Sequence, residues 1–485
     1  MRMQPVEILS DSEADEIHDT AKRVLCEVGL EIKSERGRLL LEDAGATVDH
    51  DSEQVKFTDH LIEDCIESAP EKVIYGGRNK DQERKITPQS SLYAHPPGGA
   101  SSFVGSDPNS FREPTTQDVL KWIRLSDALE EIDACTALYP TDVQDKTRDI
   151  YITQLLLQNT EKHIHVSPYS KKNMEFIIKS VLRVQDEEEL RQRPLVSVVA
   201  SSLSPLRYSA NAFEVLSIAG SYGIPVEMAT NPIAGTTSPV TLSGVVMLAH
   251  AELLGAIVLS QLANPGAPLI AFPLPSHLDM KTSNLQEGKI ENAMMTMALI
   301  QVIHKNCEIP FNASGLVTDS LHPDGQSIQE RTTNLMFSTM AGANVLTGAG
   351  QIEHYYAGSL AQLVVDNYLL KNARRALKGI EVNKDTMGLS AIKRNKSESN
   401  FLTDKHTLKY FEEEYIESNI SCNLTRETWE EEGSKSLLQR AEEMVPQILR
   451  EREEVELPEA TVTELEEIMS EANSYDWEEI DAGIW

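Results

Sequence analysis

Apolar residues along this chain recur at two spacings, and the alternation between them predicts the architecture. Near the start, Ser10-Asp11-Ser12-Glu13 reads as a capping box. Ile17, Ala21, Val24, Leu25 and Val28 follow at helical spacing, and Gly29 stops the run. Leu39, Leu40, Leu41 and Ala44 before Gly45 predict a second helix. Thr58 is placed to cap a third, with Leu61, Ile62 and Cys65 on one side. Pro96-Pro97-Gly98-Gly99 and Gly105-Ser106-Asp107-Pro108 mark loops, and Thr115 to Ala128 reads as a capped helix. Short β-rich runs then alternate with helical stretches. The runs are Ala134 to Tyr139, His163 to Ser167, Leu195 to Ala200, Pro225 to Thr230, Pro268 to Phe272, Pro310 to Ala313 and Asn344 to Gly348.

Runs recurring every 30 to 45 residues or so, each followed by a helix, are the pattern of βα units. An eighth strand is expected before Thr115 or hidden. Such units close into an eight-stranded barrel or spread into a doubly wound sheet. Neither GxGxxG at a first strand end nor GxxxxGK[ST] occurs, which removes support from nucleotide-binding sheets. The expected fold is α/β, a TIM-type (β/α)8 barrel with an N-terminal helical extension and an acidic helical C-terminal tail. The corresponding boundaries are 1–90 for the extension, 91–390 for the barrel and 391–485 for the tail, which packs on the barrel or a partner. The most apolar stretch, Thr241 to Leu262, contains His250 and Glu252, so a buried helix is expected there and not a membrane span.

Charge narrows the partners. With 44 Lys+Arg against 76 Asp+Glu, the formal net charge is −32. That argues against nucleic acid and against anionic membrane surfaces. Hydrophobic residues at 40% are a globular value. Five widely spaced cysteines without a CxxC, and no secretion signal in Met1 to Ser10, point to reduced thiols in a cytoplasm. Neither a disulfide framework nor a metal site is expected. Glu451 to Trp485 holds thirteen acidic residues and one arginine, with a helical pattern at Thr463 to Ala472. It reads either as an acidic docking tail or as a solvated terminus.

In a βα barrel the chemistry sits at the carboxyl ends of the strands. This selects Ser201 to Pro205, Asn231 to Thr237, Pro273 to Thr282, Ser314 to Asp324 and Gly348 to Ser359. Gly348-Ala349-Gly350 allows close backbone approach, and Glu353-His354-Tyr355-Tyr356 then brings an acid, an imidazole and two phenols together. Aromatic faces attract a quaternary ammonium, and His354 could hydrogen-bond the carboxylate of a zwitterion. Asn231 to Thr241 reads as a rigid wall facing a ligand, or as a turn capped by Thr241. Thr318-Asp319-Ser320-Leu321-His322 offers carboxylate and imidazole without metal-ligand spacing. His163-Ile164-His165 puts two imidazoles on one strand face, with packed polar residues as the default reading.

At these segments the sequence resembles the trimethylamine methyltransferase (MttB) superfamily. The resemblance rests on Ser204-Pro205-Leu206, on Pro225-Val226, and on Ala234-Gly235-Thr236-Thr237-Ser238-Pro239-Val240-Thr241-Leu242-Ser243-Gly244. It continues through Ala251-Glu252, Pro265-Gly266-Ala267-Pro268, Asp279-Met280-Lys281-Thr282, Thr318-Asp319-Ser320, Asp324-Gly325-Gln326 and Gly342-Ala343-Asn344 to Gly350. The resemblance implies methyl transfer from a methylated amine to the cob(I)alamin of a separate corrinoid protein, and no tightly bound cofactor of the chain's own. The namesake enzymes carry pyrrolysine, whereas this sequence contains ordinary residues only. It therefore looks like the non-pyrrolysine branch, which uses quaternary amines. Glycine betaine is the expected substrate; proline betaine, carnitine, a sulfonium or a non-catalytic betaine-binding or corrinoid-docking role are the alternatives. A quaternary nitrogen leaves as a neutral tertiary amine, so no catalytic acid or base is assigned. The expected substrate-binding residues are His354, Tyr355, Tyr356, Asn231, Phe272, Gly350 and Asp319. The expected partners are the cognate corrinoid protein and further copies of the chain as a homo-oligomer.

Overall fold

The computed structural model describes residues 4–105, 110–397 and 400–477. Part of the loop read at Gly105 to Pro108, and the end of the acidic tail, lie outside the described residues. Helix α1 (Asp11–Glu27) starts at the expected capping box, in which the Ser10 side chain accepts from Glu13 N while the Glu13 carboxylate takes up Ser10 N. Helices α2 (Glu35–Asp43) and α3 (Asp59–Ser68) follow, capped by Ser34 and Thr58. The N-terminal region is not purely helical. Strands Leu30–Ile32, Thr47–Asp49 and Gln54–Lys56 form a small sheet with Arg207–Tyr208, and Val73–Tyr75 pairs with Arg84–Ile86. Each is too short to show a period in sequence.

Eight parallel strands follow: β1 (Tyr93–His95), β2 (Ala134–Cys135), β3 (His163–Val166), β4 (Val196–Ser201), β5 (Val226–Thr230), β6 (Leu269–Pro273), β7 (Asn312–Ala313) and β8 (Val345–Thr347). Strands β2 to β6 form one sheet in chain order, and β7 pairs with β8, which pairs with β1. The bridge Ala271↔Phe311 links β6 to β7. The eighth strand thus precedes Thr115, as the count required. Where β1 meets β2, Asp133 stands in for a ladder. Its N–H donates to Ala94 O at 2.7 Å and its Oδ2 accepts from Ala94 N at 2.9 Å. The guanidiniums of Arg84 and Arg374 hold that carboxylate in place.

The connecting helices are α4 (Thr116–Ala128), α5 (Arg148–Asn159), α6 (Lys171–Val181), α7 (Ala210–Ser221), α8 (Leu242–Ala263), α9 (Ile290–Asn306), α10 (Gly325–Ala341) and α11 (Leu360–Lys378). Among the described residues α8 is the one helix long and apolar enough to cross a membrane, and most of it is buried inside the fold. Its Glu252 explains a carboxylate in so apolar a run. The side chain accepts from Ser202 Oγ at 2.7 Å, Ser204 Oγ at 2.8 Å and Leu206 N at 2.9 Å, fixing the loop after β4. In the tail, helix Glu459–Ser474 lies back on the body, burying Leu465, Ile468 and Ala472 and pairing Glu471 with Lys179 and Glu464 with Arg183.

One fully buried ion pair ties the last two βα units together. Arg331 on α10 donates through Nη1 to Asp366 Oδ2 on α11 at 2.7 Å, to Leu316 O at 2.6 Å and to Gly348 O at 3.1 Å. Asp366 in turn accepts from Gly350 N at 2.6 Å and Gln362 Nε2 at 2.8 Å. Removing one partner leaves the other charge buried and alone. Asp366→Ala is therefore expected to destabilise the fold by about 3–5 kcal/mol in urea unfolding. The double variant Arg331→Met/Asp366→Leu should not restore stability, because Leu316 O and Gly350 N lose their partners in it. Full recovery in the double variant would refute this account of the pair.

Candidate functional site

Beyond β8 the chain forms a hairpin, Gln351–Ile352 against Ala357–Gly358, closed by Glu353 to Tyr356. Three consecutive non-glycine residues of that turn are left-handed: Glu353 (φ 54°), His354 (φ 52°) and Tyr355 (φ 72°). Each such residue costs roughly 1–2 kcal/mol, so the surroundings must impose the conformation. They do so through Glu353 N donating to Ser320 O at 3.0 Å, His354 N to Thr318 O at 3.2 Å and Ser102 N to Tyr356 O at 3.0 Å. The loop after β7 therefore clamps the hairpin and sets where His354 points.

His354 Nδ1 stands 3.2 Å from Asp319 Oδ1 and 3.8 Å from Glu287 Oε2. Asp319 Oδ1 also accepts from Glu287 N at 2.7 Å and Gly288 N at 2.9 Å, which brings in the loop before α9. Glu330 on α10 fixes the loop after β7, accepting from Thr318 Oγ1 at 2.7 Å and Asp319 N at 2.8 Å. Lys289 Nζ lies 3.9 Å from Glu330 and 4.0 Å from Asp319. Three carboxylates thus face one lysine and one imidazole.

Electrostatics separates their roles. Burial pushes Glu287 up to about 7, against the pull of His354. Burial would raise Asp319 as well, but His354 and the amides of Glu287 and Gly288 hold it below its usual range. His354 would be lowered by burial, yet Asp319 and Glu287 keep it above its ordinary value. Glu287 Oε2 and Asp319 Oδ2 are buried without a hydrogen-bond partner, as is Gln351 Oε1 nearby on the hairpin. Unpartnered buried acceptors are rare and call for an explanation.

The other expected site residues are placed as follows. Tyr355 turns inward, its buried hydroxyl within reach of the charges of Glu287 and Arg331, while Tyr356 is mostly exposed. Phe272 packs with Val199, Ala229 and Leu274 at the ends of β4 to β6. Asn231, just past β5, is exposed and accepts from Ser276 Oγ at 3.4 Å. Gly350 has another role than ligand approach. A Cβ there would meet Trp122 at 2.6 Å and Leu363 at 2.9 Å, so packing demands the glycine. Thr241 caps α8. Sequence reading missed Glu287, Lys289 and Glu330, which are ordinary in their own segments and meet Asp319 and His354 only through the fold. The two histidines of His163-Ile164-His165 are both buried. His163 stacks on Tyr75 and bonds Gly76 O at 3.1 Å, while His165 bonds Ser197 Oγ at 2.9 Å. Glu227 supplies the carboxylate that sequence neighbours lacked, 3.4 Å from His95 and 3.6 Å from His165. This is a packed polar network inside the strands. A cleft of about 840 Å³ between Tyr93 and Arg374–Gly379 is elsewhere, lined by arginines already paired to acids.

A family profile described as trimethylamine methyltransferase (MTTB) matches residues 1–474. The chain belongs to that family. It is 30% identical over 464 residues to trimethylamine methyltransferase MttB of Desulfitobacterium hafniense, covering 95% of this chain and 93% of that protein. It is 26% identical over 446 residues to a glycine betaine methyltransferase of Desulfitobacterium hafniense strain Y51, covering 91% and 92%. Among solved structures it shares its mixed α/β fold with the Methanosarcina barkeri monomethylamine methyltransferase MtmB, at a TM-score of 0.51, 12% identity and 90% and 92% coverage.

Glu287 generates a linked pair of expectations. Its folded-state value of about 7 lies above the ordinary 4.5, so the folded protein holds its proton longer than the unfolded chain does. Stability from this group is complete below about pH 4.5 and is lost as pH rises through 7. Glu287→Gln, which mimics the protonated form, should thus stabilise the fold at pH 8 by about 1–3 kcal/mol and change little at pH 4. Unfolding curves at the two pH values check this; equal effects at both would contradict the assignment.

Proposed function

We propose that this protein transfers a methyl group from a quaternary amine, with glycine betaine the preferred substrate, to the cob(I)alamin of a separate corrinoid protein. The observation that carries the reading is the pair of buried carboxylate oxygens, on Glu287 and Asp319 beside His354, that no hydrogen-bond donor reaches. A betaine has a trimethylammonium at one end and a carboxylate at the other. Asp319 and ionised Glu287 supply negative charge for the first, with Tyr355 as an aromatic face. His354, whose charged form Asp319 and Glu287 favour, and Lys289 supply donors for the second. On this reading the eight strands act as one closed (β/α)8 barrel with the site at its mouth. The expectation of a cytoplasmic protein that carries no tightly bound cofactor belongs to the same reading.

The reduced corrinoid supplies a nucleophilic cobalt that accepts the methyl group. The amine leaves with the electron pair of the broken N–CH₃ bond and becomes neutral, so no residue need donate a proton. The chain's own residues bind and orient the zwitterion and keep water away. Two carboxylates near the nitrogen stabilise the bound cation more than the neutral product. Too strong a cage would therefore slow the transfer, and the neutralisable Glu287 and the His354 counter-charge limit it. Phe111, Val240, Met280, Leu321 and Tyr356, each on a different strand-end loop, are all more than half exposed. They supply an apolar rim on which a corrinoid protein would dock.

The test is methylation of a reduced corrinoid protein, followed spectroscopically, with a panel of betaines and trimethylamine. Glycine betaine should support turnover. Trimethylamine should not, since this chain has no pyrrolysine. His354→Ala should raise the betaine concentration needed by roughly 10- to 150-fold, the equivalent of about 1.5–3 kcal/mol for a lost charged hydrogen bond. Trimethylamine turnover at a rate near that of a betaine, or an unaltered His354→Ala enzyme, would defeat the proposal.

A further inference from the structure

Far from the strand ends, three soft ligands meet between helices that are remote in sequence. His18 on α1, His250 on α8 and Cys307, directly after α9, are all buried, and their ligand atoms lie within 4.8 Å of one another. His18 Nδ1 and His250 Nε2 face each other at 2.9 Å. That contact can share only one proton. His250 Nδ1 is buried with no hydrogen-bond partner, so beyond the contact with His18 the protein leaves this imidazole unsatisfied. On the other edge of His18, Nε2 faces Glu63 Oε1 of α3 at 3.9 Å, and Lys22 holds that carboxylate at 2.5 Å.

We propose that His18, His250 and Cys307 form a zinc site that fastens the N-terminal helix to α8 and α9. Two imidazoles and a thiolate suit zinc better than harder divalent ions. With Zn–N of about 2.0–2.1 Å and Zn–S of about 2.3 Å, tetrahedral ligand atoms lie roughly 3.3–3.6 Å apart. The observed spacing reaches this by shifts of a few tenths of an ångström to about one ångström. A histidine bound through one nitrogen commonly presents the other to a carboxylate, the relation of His18 Nε2 to Glu63. Binding replaces the thiol proton of Cys307, which leaves to solvent. The thiolate offsets one of the dication's two charges, and Glu63, shared with Lys22, faces the site through His18. The five cysteines show no zinc spacing in sequence because the ligands come from positions 18, 250 and 307.

The experiment uses the full-length protein, stripped by a chelator and titrated with cobalt(II) alone and then zinc(II) alone. One cobalt per chain should bind, with a thiolate-to-cobalt charge-transfer band and the visible bands of an ion held by three protein ligands and one water. Zinc should displace it, remain at one per chain after dialysis, and raise the Tm. Cys307→Ser should abolish the charge-transfer band. Cys307→Ser and His250→Asn should each weaken zinc binding at least tenfold, whereas Cys422→Ser, at an exposed thiol, should leave it unchanged. Absence of stoichiometric metal in the unaltered protein overturns the proposal whatever the variants do, and leaves a buried His–His hydrogen bond. Binding that survives both site substitutions, or is lost in Cys422→Ser, overturns it equally by placing the metal elsewhere.

Discussion

The arrangement of the candidate site hangs on the Arg331–Asp366 pair. A single guanidinium bonds the carbonyls of Leu316 and Gly348, at the starts of the two loops that carry Asp319 and His354, and the opposing carboxylate holds Gly350 N. In a dry interior these contacts are strong, and any one of them left open is costly. The distance between Asp319 and His354 is therefore set from behind, by two helices. The backbone bonds from Glu353 N and His354 N to Ser320 O and Thr318 O then lock the two loops together at the front. Glu330, the residue before Arg331 on the same helix, adds a second anchor through Thr318 Oγ1 and Asp319 N.

That support permits an acidic cluster to exist at all. Glu287 and Asp319 share a small buried volume with His354, and burial opposes charge on each. His354 and the amides of Glu287 and Gly288 draw Asp319 below its usual range, whereas burial pushes Glu287 up to about 7. The two carboxylates thus part in how readily each carries charge. The pair resembles acid–base sites in which environment drives two like groups apart. Here the difference would tune the field felt by a bound cation.

Much of the scaffold was legible in the sequence. Caps such as Ser10-Glu13, Thr58 and Thr241 act locally, over three residues, so the helices they start were readable. The seven β-rich runs each yielded a strand because apolar, β-prone residues sit between turn formers. Tyr93–His95 escaped because turn formers crowd it on both sides, Pro88 to Ser91 and Pro96 to Gly99, and its identity as a strand comes from pairing with Val345–Thr347. The short strands of the N-terminal region likewise take their identity from their partners. At the site, His354, Tyr355 and Asp319 stood out by chemistry and are brought close together. Gly350 also stood out, but its neighbour is Trp122, a contact across more than 200 residues that no local pattern encodes. Glu287 and Arg331 were invisible for the complementary reason, since their importance lies wholly in remote partners.

The left-handed turn at Glu353 to Tyr355 limits which sequences can carry this site. Branching at Cβ is poorly tolerated in that conformation, so Val, Ile and Thr are excluded at three adjacent positions. Glycine would remove the steric cost but loosen the turn, and Asn or Asp would fit while changing the charge. Substitutional drift is thereby channelled. The backbone filters the alphabet before any ligand does, and the residues admitted at 354 are those whose polar groups could also serve binding. Local geometry and recognition draw on the same short menu, so a new specificity at this hairpin would arise by exchange within it, or by change on the facing loop that carries Asp319.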